Sequence, residues 1–292
     1  MKIGMTLPLM EPGVDGAVLE RWARAVDRGP FSSLCFGERM AFGNPELLTL
    51  LGACTAWTTR VRLVTTVIVA QLHDPVMLAK ALATADMLCG GRLTVGLGVG
   101  GRVEDYVAAG VDPATRTHRE LAARVAVMKR VWAGEKVVDT LLPVGPAPRQ
   151  PGGPELLVGA QGPKAIRQAA AWADGIAGFS FNLDMAETER SFGQVRSAWA
   201  EAGRPAPRLT TAFWFALGEG ARAQIERHLR HYFNWIDPAA LAAMLPVTGF
   251  AGSEAELKQV LRRLADLGTD EVQLIPTSDD LAQLERVAAL VG

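Results

Sequence analysis

From residue 2 to residue 290 the chain alternates between hydrophobic patterns of period two and patterns of period near 3.6, which demands a layered α/β architecture. Strands are predicted over 2–7, 33–37, 61–69, 93–99, 156–158, 175–179, 209–217 and 271–275. Helices are predicted over 15–28, 45–57, 75–88, 116–132, 164–173 and 185–202, then a long helical segment over 221–245, then 254–267 and 280–290. Eight strands separated by helices make a closed (β/α)8 TIM barrel the economical fold, with a doubly wound open sheet as the other arrangement. Residues 133–154 hold Pro143, Pro146, Pro148, Pro151 and Pro154. They read as a Pro/Gly-rich insertion after the fourth helix, inside a single domain spanning 1–292.

A chain of 292 residues with 49% hydrophobic content can bury a large core. Its formal net charge of −1, without long runs of either sign, removes the electrostatic case for nucleic acid or an anionic membrane surface. The expected partners are a small-molecule substrate and other subunits. Cys35, Cys54 and Cys89 are widely spaced among apolar residues, so neither a disulfide framework nor a zinc site is expected. The opening Lys2-Ile3-Gly4-Met5-Thr6-Leu7 reads as a strand rather than a signal peptide, and no apolar run reaches the length of a membrane span, so a cytoplasmic location is expected. The helices over 45–57 and 75–88 are apolar around most of their circumference. An outer barrel helix needs one apolar face only, so a homodimer is expected, although the segment after strand seven could cover the same surface within one chain.

In a barrel of this kind chemistry gathers at the C-terminal ends of the strands. Two stretches stand out there. Gly96, Gly98 and Gly100 strip side chains from one face of strand four, which leaves room either for a flat ligand or for close packing between strands; the spacing lacks the third glycine of a dinucleotide fingerprint. Gly159-Ala160-Gln161-Gly162-Pro163-Lys164 joins a strand to a helix, where backbone N–H groups, the helix dipole and Lys164 suit a phosphate; a plain turn with Pro at an early helical position is the alternative. Trp214, between Phe213 and Phe215, either paves a pocket or belongs to the core. His73, His118, His228 and His231 do not fall into metal-ligand spacings, and His228 with His231 fits a solvated helix face. No Ser or Cys is set with a His as an activated nucleophile, so the residues look better suited to holding a cofactor than to covalent chemistry.

Four signatures in sequence order resemble the bacterial luciferase-like monooxygenase superfamily of flavin and deazaflavin oxidoreductases. They are Gly37-Glu38-Arg39 with Asn44-Pro45; Thr59 through Val67 along strand three; Asp74-Pro75-Val76-Met77-Leu78-Ala79-Lys80 leading to Gly90-Gly91-Arg92-Leu93; and Gly159 through Lys164 leading to Ala173-Asp174-Gly175. The resemblance implies a single barrel, dimerisation through the second and third helices, and either reduced FMN used to activate oxygen or the deazaflavin coenzyme F420 used to transfer hydride. It places the ring against Thr65, Thr66, Val67, Gly98 and Gly100, and the phosphate at Gly159, Ala160, Gln161, Gly162 and Lys164. It also implies a bulge, sometimes with a cis non-proline peptide, near Thr65-Thr66-Val67. Many relatives carry a His after strand two. This chain has Glu38-Arg39-Met40 there, so a histidine acid/base is not carried over, and Glu38 and Arg39 remain as candidate catalytic groups. Three readings follow: an FMN-dependent monooxygenase supplied by a flavin reductase; a deazaflavin enzyme, which Gly162-Pro163-Lys164 favours; and a non-catalytic flavin-binding protein in which the lost His marks lost chemistry.

Overall fold

A computed structural model describes all 292 residues. Nine strands are present: β1 (Lys2–Thr6), β2 (Ser33–Phe36), β3 (Arg62–Val69), β4 (Leu93–Gly98), β5 (Glu155–Gly159), β6 (Gly175–Ala177), β7 (Arg208–Leu217), β8 (Phe250–Gly252) and β9 (Glu271–Pro276). Eleven α-helices connect them: α1 (Gly16–Arg28), α2 (Leu47–Trp57), α3 (Pro75–Leu88), α4 (Val103–Ala108), α5 (His118–Trp132), α6 (Pro163–Ala170), α7 (Met185–Glu201), α8 (Ala221–Tyr232), α9 (Pro238–Met244), α10 (Glu254–Asp266) and α11 (Leu281–Val291). The hydrogen-bonded strand order is β6-β5-β4-β3-β2-β1-β9-β7-β8, and β6 also pairs with β7. That is the connectivity of a (β/α)8 TIM barrel with β8 added beside β7; the β6–β7 pairing rules out the open doubly wound sheet.

The chain divides into two compact units. In the first, which holds residues 1–35, 178–193 and 209–292, β1 runs parallel to β2 and β9, and β7 runs parallel to β9 and β8. Its helices start where short polar side chains can take up the first free N–H groups: Asp15 accepts from Val18 N at α1, and Ser253 with Glu256 forms a reciprocal capping box at α10. Trp22 on α1 is fully buried and spends its indole N–H on Asp279 O at 2.9 Å. The expected helical segment over 221–245 is two helices. The break falls where Asp237 caps α9 through Ala239 N and Ala240 N and Pro238 takes the first helical position, a start signal rather than a helix interior. Strand β8 is additional to the eight expected; Phe250-Ala251-Gly252 carries no alternation of apolar and polar residues.

The second unit holds residues 36–177 and 194–208, and within it β3, β4, β5 and β6 are parallel neighbours. Asp74 caps α3 from Val76 N and Met77 N, with Pro75 at its first position; Thr117 caps α5, so that helix starts two residues later than expected. The short α4 was likewise unpredicted. Residues 134–154 carry no helix or strand. They are anchored by polar contacts instead: Gln150 N and Nε2 donate to the buried Asp86 carboxylate at 2.8 and 2.7 Å, and Lys80 Nζ donates to Gly145 O at 2.6 Å. Asp86 thus has its oxygens satisfied, which is the condition for keeping a carboxylate buried.

Candidate active site

The C-terminal half of β3 departs from regular strand geometry. Its pairing with β4 shifts register between Thr65 and Ile68, and the Thr66–Val67 peptide bond is cis. The bulge and the cis bond implied near Thr65-Thr66-Val67 are therefore present. Thr65 lies fully buried, its hydroxyl donating to Gly96 O and accepting from Gly96 N, both at 2.9 Å, so a side chain takes over ladder bonding that the backbone gives up there. Thr66 and Val67 are half-buried within a strand whose neighbouring residues 63–65 and 68–69 are buried. A break in an otherwise closed strand is what a ligand lying against β3 would require.

Of the two readings of the glycine spacing around β4, the contacts match close packing between strands. A Cβ at Gly96 would stand 2.2 Å from Thr65 O, and one at Gly98 would stand 2.6 Å from Val67 Cγ2. At Gly100 the nearest atom is Val69 Cγ2 at 3.0 Å, and at Gly159 it is Val67 Cγ1 at 3.3 Å. The space beside these glycines is filled by β3. They admit its irregular backbone and the Val67 side chain, so close strand packing accounts for the missing side chains.

Glu38, directly after β2, binds the same segment. Its N–H donates to Val67 O at 3.3 Å, Oε2 accepts from Val69 N at 2.7 Å, and Oε1 lies 2.7 Å from His73 Nε2. The Glu38 side chain is 4% exposed and that of His73 15%. With both carboxylate oxygens engaged, Glu38 holds the end of β3 in place. His73 has no metal-ligand spacing, and its signal in the sequence is a Glu beyond one strand and a His beyond the next, both at C-terminal strand ends. Arg39 lies over the Phe42 ring, 4.1 Å from its centroid, and is buried. Arg102, also buried, faces Asp105 at 3.7 Å, and Asp105 Oδ1 accepts from Met40 N at 3.0 Å and Ala41 N at 2.7 Å, which ties the loop after β2 to the start of α4. Tyr106 donates its hydroxyl to Val99 O at 2.7 Å, and burial pushes its pKa up to about 12.

At α6, Gly162 occupies the N-cap position with φ +80° and ψ 154°, no side chain caps the helix, and a Cβ there would meet nothing within 4 Å. Gln161, Gly162 and Lys164 are exposed, Gly159 is half-buried and Ala160 is buried. The helix start therefore opens onto free space with its first turn uncapped, the arrangement that suits an anion. In the first unit Phe213 and Phe215 are fully buried core, while Trp214 joins an aromatic cluster. His228 is not on a solvated face: its side chain is 2% exposed and paired with Glu11, whereas His231 is exposed.

Residues 5–275 match the family model described as luciferase-like monooxygenase, so the chain belongs to the luciferase-like monooxygenase family. An uncharacterised protein of Mycobacterium tuberculosis is 36% identical over 162 residues, which cover 53% of this chain and 56% of that protein; the chain thus spans about half the length of the curated relatives it matches. Among solved structures, an F420-dependent secondary alcohol dehydrogenase bound to an F420–acetone adduct superposes over 100% of both chains, with a TM-score of 0.79 and 15% identity. The oxygenating constituent of 3,6-diketocamphane monooxygenase from Pseudomonas putida, a type II Baeyer–Villiger monooxygenase in complex with FMN, covers 100% of this chain and 96% of its own, with a TM-score of 0.74 and 16% identity. At these identities the likeness establishes the fold, and both neighbours share it.

Proposed function

We propose that this protein is a flavin-dependent oxidoreductase, a monooxygenase that uses reduced FMN and oxygen on a small organic substrate. The observation that carries the reading is the half-buried Thr66–Val67 segment, the one opening in the buried end of β3, held by Glu38 on one side and seated on the β4 glycines on the other. The residues present fit the cofactor. Thr66 and Val67, half-buried beside the fully buried Thr65, offer a partly apolar surface for a planar ring, and Gly159, Ala160, Gln161, Gly162 and Lys164 offer an uncapped helix start with a nearby cation for its phosphate. When bound, reduced FMN supplies the electrons with which oxygen is activated. The chain's own residues orient the ring and exclude water from its face: Glu38 by fixing Val67 and Val69, and Thr65 by fixing Gly96.

The match to an F420-dependent dehydrogenase along the whole chain favours a second reading, hydride transfer with the deazaflavin in place of FMN. Titration of the purified protein with reduced FMN and with reduced F420, followed by oxygen uptake in the presence of organic substrates, separates the two. The monooxygenase reading expects tighter binding of reduced FMN and oxygen consumption that rises with substrate. Binding of F420 alone with oxygen-independent turnover replaces it by the second reading, and binding of either without turnover marks a flavin-binding protein.

Two partners belong to this proposal. One is a flavin reductase that regenerates reduced FMN. The other is a second copy of the chain, because Met77, Met87 and Leu88 are exposed on α3 beside an apolar groove whose walls include Leu48, Leu51 and Ala81. Light scattering at low micromolar concentration should give twice the chain mass, and a monomer would remove the dimer from the proposal. No helix is long and apolar enough to cross a membrane.

A further inference from the structure

The first unit holds a buried acid–imidazole pair for which the flavin site has no use. Glu11 lies in the segment after β1 and His228 on α8; Glu11 Oε1 meets His228 Nδ1 in a short hydrogen bond, and the two side chains are 7% and 2% exposed. In the tautomer whose Nδ1–H donates to the Glu11 carboxylate, Nε2 is the acceptor atom of the ring. Nε2 is buried and has no hydrogen-bond partner. A buried polar atom left unmet is unfavourable, so the complement of this position is a group that donates a hydrogen bond.

What surrounds it is aromatic. Tyr232 stacks on the His228 ring at 6.0 Å and 11°, and Trp214 lies 6.2 Å from it. Trp214 in turn packs edge-on against Phe179 at 4.7 Å, and Phe179 meets Phe181 at 4.8 Å. Phe181 is 39% exposed and Tyr232 is half-buried, so the cluster runs from solvent to the buried imidazole. The segment holding Glu11, the Trp214 position on β7, and the Phe179–Phe181 segment all lie toward or beyond the C-terminal ends of their strands, the end of a (β/α)8 barrel at which ligands bind.

We propose that Glu11 and His228 form a recognition site for the hydroxyl group of a planar aromatic ligand, a phenol or naphthol. The ligand ring lies among Phe181, Phe179 and Tyr232, and its O–H donates to His228 Nε2. Glu11 holds the tautomer that makes Nε2 an acceptor. This goes beyond the flavin reading and rests on residues of the first unit alone.

The test uses cofactor-free full-length protein and two probes, 2-naphthol and 2-methoxynaphthalene, which differ in the donor hydrogen. Equilibrium dialysis should show 2-naphthol bound about tenfold more tightly, the ratio expected for one hydrogen bond to an otherwise unmet buried acceptor. The double variant Glu11→Leu/His228→Phe removes both polar partners together, leaves no unpaired charge behind, and should bind the two probes equally. Phe181→Ala should weaken both and leave their ratio unchanged; because Phe181 is partly exposed, this variant keeps the proposal testable if the double variant does not fold. Failure of either probe to bind, equal binding by the parent protein, a ratio retained in the double variant, or a ratio changed by Phe181→Ala would overturn the site. An FMN titration of the same variants is expected to match the parent, so a failed flavin reading and a failed aromatic site give different results.

Discussion

Gly98→Ala places a methyl carbon 2.6 Å from Val67 Cγ2, against an ordinary carbon–carbon contact of about 3.5–4.0 Å. The shortfall of about 1 Å must be absorbed by Val67 or by the backbone of β3, and overpacking of this kind costs about 1–3 kcal/mol. Outside such a clash, Ala in a strand interior is favoured over Gly by about 0.5–1 kcal/mol. The two terms separate in a double-mutant cycle. In the parent background Gly98→Ala should destabilise, whereas in Val67→Ala, which removes the opposing Cγ2, it should be neutral or slightly stabilising. The coupling should then amount to about 1–3 kcal/mol, within the range for residues in direct contact. Urea unfolding of the parent, the two single variants and the double variant measures it. An equal cost of Gly98→Ala in both backgrounds would refute the argument that Val67 fills the space beside β4. Read by FMN titration, the same cycle tests the cofactor proposal: Gly98→Ala displaces Val67 and should weaken binding several-fold, with partial recovery in the double variant.

Gly162→Asp should fold but bind FMN at least tenfold more weakly in a fluorescence titration. The left-handed φ of +80° costs a non-glycine residue about 1–3 kcal/mol, and a carboxylate at an uncapped helix start repels a phosphate; undiminished affinity would remove this helix from the site. Glu38→Ala leaves Val69 N–H without its acceptor and should lower stability by about 1–3 kcal/mol, while Glu38→Gln, which can still accept from Val69, should recover most of it in thermal unfolding. Tyr106 carries a folded-state pKa near 12 against about 10 in the unfolded chain, so the unfolded state loses its proton first. Its contribution is complete below pH 10 and declines as the pH rises toward 12, so the stability of the parent should fall more steeply over that window than that of Tyr106→Phe. Cys54 is buried, with its thiol pushed up to about 12, so it should resist alkylation by iodoacetamide at pH 8 in the folded protein and react once urea unfolds it.

Local rules carried much of the architecture. The alternation of periods marked eight of the nine strands, because a strand with a buried face and a helix with an apolar stripe each leave a repeat in the chain. The starts of α1 and α3 lie within one residue of those expected, where Asp15 and Asp74 cap the helices through contacts between near neighbours. The cis bond in β3 was legible only through the family resemblance. The tertiary structure decided what depends on residues far apart in sequence. Which of the two readings of Gly98 holds was such a case: it packs on Val67, a contact that spans about thirty residues and depends on the register shift between β3 and β4. Glu38 meets His73, and Glu11 meets His228 across 217 positions, pairings that no periodicity records. A spacing rule reads one element at a time, and burial of an acid–imidazole pair depends on which elements the fold packs together. His228 and His231 share one helix, yet one is sealed against Glu11 and the other is in solvent.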